Sequence, residues 1–191
     1  KAKNFKNPRI EIEWLIRSVL KVNRIDIYLN FDRILSDQEL KTLRSFIKRR
    51  LKSEPIQYIT NLSEFYGIEY FVNETSKELN FPFSDASIVG NVIYVSGQVG
   101  SKPGTREVVD GGIGAETMQT LNNIKMILND LGSNSDKIFK CLCMLEDIND
   151  YSEMNNAYTK FFSSRDYLPS RSTFAGSGLA LGAKIEIECW A

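Results

Sequence analysis

Two hydrophobic patterns follow one another along the 191 residues, and the first has the period of helices. One helix is predicted after Asn7-Pro8, and a second is predicted from Ser36, where Glu39 completes a capping box. The second helix should end at Glu54-Pro55, because the residue before a proline avoids the α region. Residues 65–72 alternate and predict a short strand or hairpin arm. The apolar stripe of the first helix comprises Ile12, Leu15, Ile16, Val19 and Leu20.

The second pattern consists of short strands and two helices. Gly90-Asn91 lies between two apolar runs and predicts a two-residue hairpin turn. A long helix is predicted from Gly111-Gly112 to Gly132, and another over residues 151–162. Further strands are predicted at residues 138–145, 171–174 and 184–190. The order β-β-α-β-α-β-β predicts an α/β domain with both helices on one face of a sheet.

Residues 73–82 separate the two patterns. They are polar and have no hydrophobic period, so they predict a connection between modules. We therefore expect a helical module over residues 1–74, a linker over 75–82 and a second domain over 83–191. Residues 1–75 carry 14 basic and 10 acidic side chains, whereas the remaining residues carry 10 and 14. This opposite imbalance also favours two modules with different surfaces.

The composition excludes several classes of protein. Charged residues make up 25% and hydrophobic residues 42%, as in folded globular domains. No stretch approaches 18 uncharged apolar residues, so we expect no membrane span. The 24 basic and 24 acidic side chains cancel, so the net charge gives no reason to expect nucleic acid. The run Lys48-Arg49-Arg50 could bind phosphate, but cations at a helix C-terminus are the favoured interpretation.

The histidine and cysteine content limits the chemistry. The chain has no histidine, which excludes Ser–His and Cys–His nucleophile pairs and histidine metal ligands. Its three cysteines are odd in number and are not spaced as a zinc site. Cys141 and Cys143 share one face of a predicted strand, and we interpret the cysteines as small buried hydrophobes in a reducing compartment. Without a signal peptide before the first periodic segment, we expect a cytoplasmic protein.

The helical module contains Asn-Pro-Arg-Ile-Glu at 7–11, Arg-Arg at 49–50, Glu-Pro-Ile-Gln-Tyr-Ile at 54–59 and Phe-Tyr-Gly at 65–67. In order and spacing, these segments resemble the N-terminal domain of the HemK family of release-factor glutamine methyltransferases. Family members usually have another helix before the Asn-Pro, of which only residues 1–6 would remain, and a glycine where Ser53 stands. The Gly-rich S-adenosylmethionine turn and the Asn-Pro-Pro-Tyr motif are absent. The resemblance thus implies possible release-factor docking through residues 1–74, and not a methyltransferase.

The second domain carries a stronger resemblance. It contains Pro-Phe-Ser-Asp-Ala at 82–86, Val-Ser-Gly-Gln at 95–98, Ser-Arg-Ser-Thr at 170–173 and Lys-Ile-Glu-Ile-Glu-Cys at 184–189, with Asn155 and Tyr158 in a helix. These segments resemble the RidA (YjgF) family over about residues 79–191. The resemblance implies a chorismate-mutase-like α+β fold, in which a mixed sheet is backed by two helices. It also implies a homotrimer with active sites in the clefts between subunits.

The RidA resemblance implies hydrolysis of reactive enamines and imines, such as 2-aminoacrylate, 2-iminopropanoate and 2-iminobutanoate, to 2-oxoacids and ammonia. Arg171 matches the arginine that binds the substrate carboxylate, for which a guanidinium fork is suited. Glu186 matches the glutamate that handles water or its proton. No metal or organic cofactor is expected, because an imine carbon is already electrophilic. The matched substrate-binding residues are Phe83, where many members have Tyr, Ser96, Gly97, Asn155 and Thr173.

Spacing alone leaves two interpretations of the last strand. Glu186 and Glu188 alternate with apolar residues and share a face, which is either solvated or, for one of them, part of a cleft with Arg171. Three other functions stay open: a non-enzymatic scaffold that docks a release factor or other translation partner, a fusion with a passenger module, and an RNA-directed role. The balanced charge argues against the last. We expect a small-molecule substrate and neither nucleic acid nor membrane as a partner.

Overall fold

The chain forms two compact units, residues 1–63 and residues 64–191. The structure, a computed structural model, describes residues 5, 7–22, 24–65 and 68–191. The sequence predicted that most of the first HemK helix is missing and that only residues 1–6 remain of it. Apart from Phe5, these residues lie outside the described part of the chain. None of the described helices is long and apolar enough to cross a membrane.

The first unit is built from helices. They are α1 (Pro8–Leu20), α2 (Arg24–Leu29), α3 (Asp37–Leu51) and α4 (Ile56–Thr60). The capping box is confirmed, because Ser36 Oγ accepts from the Glu39 N–H at 3.3 Å and Glu39 Oε2 accepts from the Ser36 N–H at 2.7 Å. The hydrophobic period did not reveal α2 and α4, which are only six and five residues long. Helix α1 packs against the other three helices and buries Leu15.

Ion pairs complete the packing of the first unit. The buried Glu13 carboxylate accepts from Tyr28 Oη and from Arg24 Nε at 2.9 Å. The Arg50 guanidinium donates to both oxygens of Glu11, at 2.7 and 3.0 Å, and so joins α3 to α1. Arg49 forms an ion pair with Glu54 just beyond α3. Both arginines of the basic run lie in the last turn of α3, as predicted, but they pair with carboxylates and are not simply solvated.

The second unit contains a mixed sheet. Its strands are β1 (Leu62–Phe65), β2 (Ile68–Phe71), β3 (Ala86–Val89), β4 (Val92–Val99), β5 (Lys140–Leu145), β6 (Ser170–Ala175) and β7 (Ile185–Trp190), and β1 spans the boundary between residues 63 and 64. The strand order is β1-β2-β3-β4-β7-β5-β6. From β2 to β7, only β5 and β6 pair in parallel, and the other neighbouring strands are antiparallel. The hairpin at Gly90-Asn91 is confirmed, because Val89 and Val92 are register partners.

Helices α5 (Glu74–Glu78), α6 (Gly112–Asp130) and α7 (Tyr151–Phe161) accompany the sheet, together with 3-10 turns at residues 135–137, 148–150 and 180–182. Helix α6 lies against β4 and β7 and packs beside α7. We call this side of the sheet the helix face; its core residues are Ala86, Val95, Cys141, Cys143, Leu145, Ile185, Ile187 and Cys189. The expected arrangement, a helical module followed by a mixed sheet backed by two helices, is confirmed.

The other side of the sheet, the open face, is partly exposed. Its residues alternate with the buried ones, and Phe174 and Tyr94 are 49% and 41% exposed. This face also carries Leu142, Met144, Glu186, Glu188 and Trp190. An apolar surface of this kind, on a strand layer without a covering layer, is typical of an interface.

The predicted linker over residues 75–82 is corrected by the structure. Asn73 caps α5, which occupies the first part of this segment, and Ser76 is buried. The buried Asp85 carboxylate accepts from the Asn73 N–H at 2.8 Å and from Ser76 Oγ at 2.7 Å. The polar residues look like a linker in sequence because their partner Asp85, which lies nine residues beyond Ser76 and twelve beyond Asn73, cannot be identified from a hydrophobic pattern. The boundary between the two compact units lies earlier in the sequence, between Ser63 and Glu64.

Candidate active site

Arg171 lies on the helix face of the edge strand β6. Its backbone is the register partner of Cys141, and its side chain reaches α7. The guanidinium donates to Asn155 Oδ1 at 2.5 Å and to Tyr151 Oη at 3.3 Å. Its carbon lies 4.7 Å from the centre of the Tyr158 ring, a cation–π distance. The helix therefore fixes the guanidinium by one amide oxygen and two aromatic rings.

The charge of Arg171 is not compensated within the described residues, where no carboxylate forms an ion pair with it. Its direct partners, Asn155 and Tyr151, are neutral. Thr173, two residues further along β6, faces the same side, and its buried hydroxyl has no hydrogen-bond partner in the described part of the chain. A fixed guanidinium without an anion is suited to bind a carboxylate ligand.

Glu186 lies on the open face, beside a break in the neighbouring strand. The register between β4 and β7 shifts between Val95 and Gln98, which makes Ser96-Gly97 a bulge. A Cβ atom built on Gly97 would lie 2.8 Å from Cδ of Glu186 and closer still to Oε1. The carboxylate therefore occupies the space that any larger side chain at Gly97 would need.

The loop before β3 forms the wall beside this bulge. Ser96 Oγ donates to the carbonyl oxygen of Ser84 at 2.7 Å, and the Ser96 N–H donates to that of Asp85 at 2.9 Å. Phe83, the next residue back along the loop, stacks on Phe81 with ring centres 5.3 Å apart and is 49% exposed. The Ser96 hydroxyl thus holds the loop in place, and Phe83 offers the apolar surface.

Burial, and secondarily the negative charge of Glu188, raises the pKa of Glu186 above its ordinary value. A carboxylate whose pKa is raised is a stronger base than an ordinary one, so it is better suited to take a proton from water and return it. Burial also raises the pKa of Asp85, although Ser76 and the Asn73 N–H oppose this by bonding to the charged form. No group of three or more metal-ligating side chains occurs among the residues described.

Within one chain, the expected site residues lie in two separate groups. Arg171, Asn155 and Thr173 lie on the helix face near α7, whereas Glu186 lies on the open face beside Gly97. Ser96 and Phe83 lie with the second group. Within one chain, therefore, Glu186 does not share a cleft with Arg171.

Sequence reasoning did not identify Tyr151 as a partner of Arg171. It named Tyr158 as a helix residue of the RidA resemblance but gave it no role, whereas in the structure the Tyr158 ring supports the guanidinium. The available signal was the spacing of Tyr151, Asn155 and Tyr158, four and three residues apart, which puts all three on one face of α7.

Two family models match the chain. The model described as endoribonuclease L-PSP matches residues 58–191, and the model described as the PrmC N-terminal domain matches residues 1–60. The two matches meet near the boundary of the compact units at residue 63. They correspond to the RidA and HemK resemblances of the sequence analysis.

Relatives of known name match the second unit. A cattle protein named 2-iminobutanoate/2-iminopropanoate deaminase is 37% identical over 107 residues, which cover 56% of this chain and 77% of that protein. The human protein of the same name is 36% identical over the same lengths. The crystal structure of the Escherichia coli YjgF gene product is 33% identical, with a TM-score of 0.55 over 58% of this chain and 87% of that one. The chain therefore belongs to the endoribonuclease L-PSP (RidA) family and carries a PrmC-type (HemK) N-terminal domain.

Proposed function

We propose that this protein hydrolyses reactive enamines and imines of 2-amino acids, such as 2-aminoacrylate, 2-iminopropanoate and 2-iminobutanoate, to 2-oxoacids and ammonia. The observation that carries the proposal is Arg171, a guanidinium that neutral groups hold in place and that has no carboxylate partner among the described residues. All of these imines carry a carboxylate next to the reacting carbon. The names of the cattle and human relatives support the same reaction class.

The chemistry needs one bound anion and one proton carrier. Arg171 would hold the carboxylate by two parallel hydrogen bonds and so fix the imine carbon. Glu186 would take a proton from water as the water oxygen attacks that carbon of the protonated imine, which gives a neutral tetrahedral carbinolamine. Returning the proton to nitrogen then lets the C–N bond break. Ammonia leaves, and loss of the hydroxyl proton yields the 2-oxoacid.

We propose that a complete site forms between two copies of the chain in a homotrimer. Arg171 and Glu186 lie on opposite faces of one sheet, so a cleft with both groups needs the helix-face group of one subunit and the open-face group of another. The partly exposed apolar side chains of the open face, such as Tyr94 and Phe174, suit burial in such an interface.

The test generates 2-aminoacrylate or 2-iminobutanoate in situ and follows its loss. Arg171→Ala should abolish turnover without changing the molar mass of the assembly. Arg171→Lys should also be poor, because a lysine is a point charge without the planar fork. Arg44→Ala, which removes an exposed arginine of the helical unit, is the matched control and should be fully active. Wild-type turnover in Arg171→Ala would refute the assignment.

A second function for the first unit has its own support. The PrmC N-terminal match covers residues 1–60, and Ile25, Leu29, Phe31 and Ile34 are 68–92% exposed. By the HemK resemblance, we propose that this unit docks a peptide-chain release factor through these side chains. Calorimetry with the full chain should detect binding that Phe31→Ser weakens and Arg44→Ala leaves unchanged. Absence of binding by the wild-type chain would exclude this role.

A further inference from the structure

Two cysteines that are far apart in sequence meet in the core of the sheet. Cys141 in β5 and Cys189 in β7 are register partners on neighbouring antiparallel strands. Both side chains point to the helix face, both are fully buried, and their sulfur atoms are 3.0 Å apart. The sequence interpretation as separate buried hydrophobes accounts for the burial but not for this contact.

The position in the ladder favours a covalent link. The Glu146 N–H donates to the Lys184 carbonyl at 3.0 Å, so these two residues form a hydrogen-bonded pair one step beyond Leu145 and Ile185. Hydrogen-bonded and non-hydrogen-bonded pairs alternate along an antiparallel ladder, and Cys141 lies an odd number of steps from Glu146. The two cysteines therefore form a non-hydrogen-bonded pair, in which Cα atoms are about 4.5 Å apart. This lies within the range of about 4.4–6.8 Å that disulfides span.

We propose that Cys141 and Cys189 are a redox modification site that a hydroperoxide converts reversibly into an intramolecular disulfide. The sulfur atoms need to approach by about 1 Å to reach bonding distance, without any rearrangement of the two strands. This inference uses residues outside the proposed catalytic groups, and it does not rest on the proposed deaminase activity.

The surroundings decide which sulfur reacts first. Hydrogen bonding from Cys189 lowers the pKa of Cys141, in spite of the burial that opposes it, and the same interaction together with burial raises the pKa of Cys189. Burial raises the pKa of Cys143, two residues along β5, to about 12. Cys141 is therefore the thiol that ionises most readily, and a thiolate is the form that reacts with peroxides.

Oxidation of the two thiols to a disulfide needs the peroxide as its only other reactant. The Cys141 thiolate attacks one peroxide oxygen, the O–O bond breaks, and the leaving oxygen departs as water or an alcohol, with a sulfenic acid on Cys141. The Cys189 sulfur then attacks that sulfur atom, and the S–O bond breaks. The departing hydroxide takes the Cys189 proton and leaves as water, so the two thiols have lost two electrons to the peroxide.

Access requires a local opening, because neither sulfur is exposed. Both sulfur atoms lie on the helix face, where α6 packs against β7 and Tyr158 of α7 contacts Cys141. Local openings of packed elements occur far more often than unfolding of a whole domain. The rate of oxidation should therefore level off at high peroxide concentration, where movement of the helices away from the sheet becomes the slow step.

The experiment treats the native full chain with hydrogen peroxide, blocks remaining thiols with N-ethylmaleimide in denaturant, and maps peptides without reduction. We expect a Cys141–Cys189 cross-link, one maleimide on Cys143, and recovery of all three thiols with dithiothreitol. The matched control Cys143→Ala should keep the cross-link, and Cys189→Ala should lose it. If Cys189→Ala does not fold, the map of Cys143→Ala alone decides. Three free thiols after prolonged treatment, or a cross-link through Cys143, would overturn the proposal.

Discussion

Replacing Gly97 by alanine tests the open-face half of the site with a single methyl group. The new Cβ would lie 2.8 Å from Cδ and 3.1 Å from Cγ of Glu186, whereas ordinary contact begins at 3.4 Å. Gly97 is not among the glycines with positive φ, so alanine is compatible with the backbone. The side chain of Glu186 therefore has to move, by roughly 1 Å at its oxygen atoms.

The expected loss follows from that displacement. Moving a catalytic group by about 1 Å commonly costs on the order of a hundredfold in rate. We therefore expect kcat/KM of Gly97→Ala to fall about a hundredfold, or about 2.7 kcal/mol in barrier, at nearly unchanged thermal stability. The assay is the in situ imine assay, with circular dichroism as the check on folding.

Two controls separate this effect from a general disturbance. A Cβ on Gly176 meets no atom within 4 Å, and this residue also lacks a positive φ, so Gly176→Ala should keep wild-type turnover. In a Glu186→Ala background, Gly97→Ala should cause little further loss, because the group that it displaces is already gone. Turnover within about threefold of wild type in folded Gly97→Ala would refute the reasoning, since such a loss corresponds to less than about 0.7 kcal/mol.

Three further predictions concern other parts of the chain. Activity should rise with pH as Glu186 loses its proton, with a midpoint above the ordinary glutamate pKa. The negative charge of Glu188 contributes to this raised pKa, so Glu188→Gln should move the midpoint of the pH–rate profile to lower pH. An unchanged midpoint would contradict this prediction. Asp85→Ala should lower the free energy of unfolding in urea by about 2–4 kcal/mol, because the Asn73 N–H and the Ser76 hydroxyl lose their hydrogen-bond partner. Asp85→Asn can still form a hydrogen bond with each of these groups and should cost less than about 1 kcal/mol. Equal losses in the two variants would be inconsistent with this network. Removal of residues 1–63 should leave deamination unchanged. Removal of residues 1–78 should destabilise the sheet, because it takes away β2 and the partners of Asp85. Equal melting temperatures of the two truncated proteins would argue against the boundary at residue 63.

The sequence was most informative where a local pattern determines local structure. The capping box at Ser36 and the turn at Gly90-Asn91 depend on neighbouring residues alone, and both are found where they were predicted. The segment after Asn73 was misread as a linker because its partner, Asp85, lies in another element. A polar residue with a distant partner has the same appearance in a sequence as a solvated one.

The sequence also predicts the candidate active site only as far as local patterns allow. Period-two alternation correctly placed Glu186 and Glu188 on one face of the last strand. Their relation to Arg171 depends on the order of β5, β6 and β7 across the sheet, which alternation does not encode. Likewise, the meeting of Cys141 with Cys189 follows from the pairing of β5 with β7. The individual residues can be predicted from the sequence, but the faces and neighbours that they share require the topology.

The central claim is that one active site combines Arg171 of one subunit with Glu186 of another, and mixing two inactive variants tests it directly. Arg171→Ala and Glu186→Gln are each expected to be inactive alone. After joint refolding of equal amounts, random cyclic trimers should regain up to about a quarter of wild-type turnover, because a site is intact only when its two contributing subunits are of different kinds in the right order. Mixed trimers that form, as shown by mass spectrometry of differently tagged chains, but remain inactive would contradict the account.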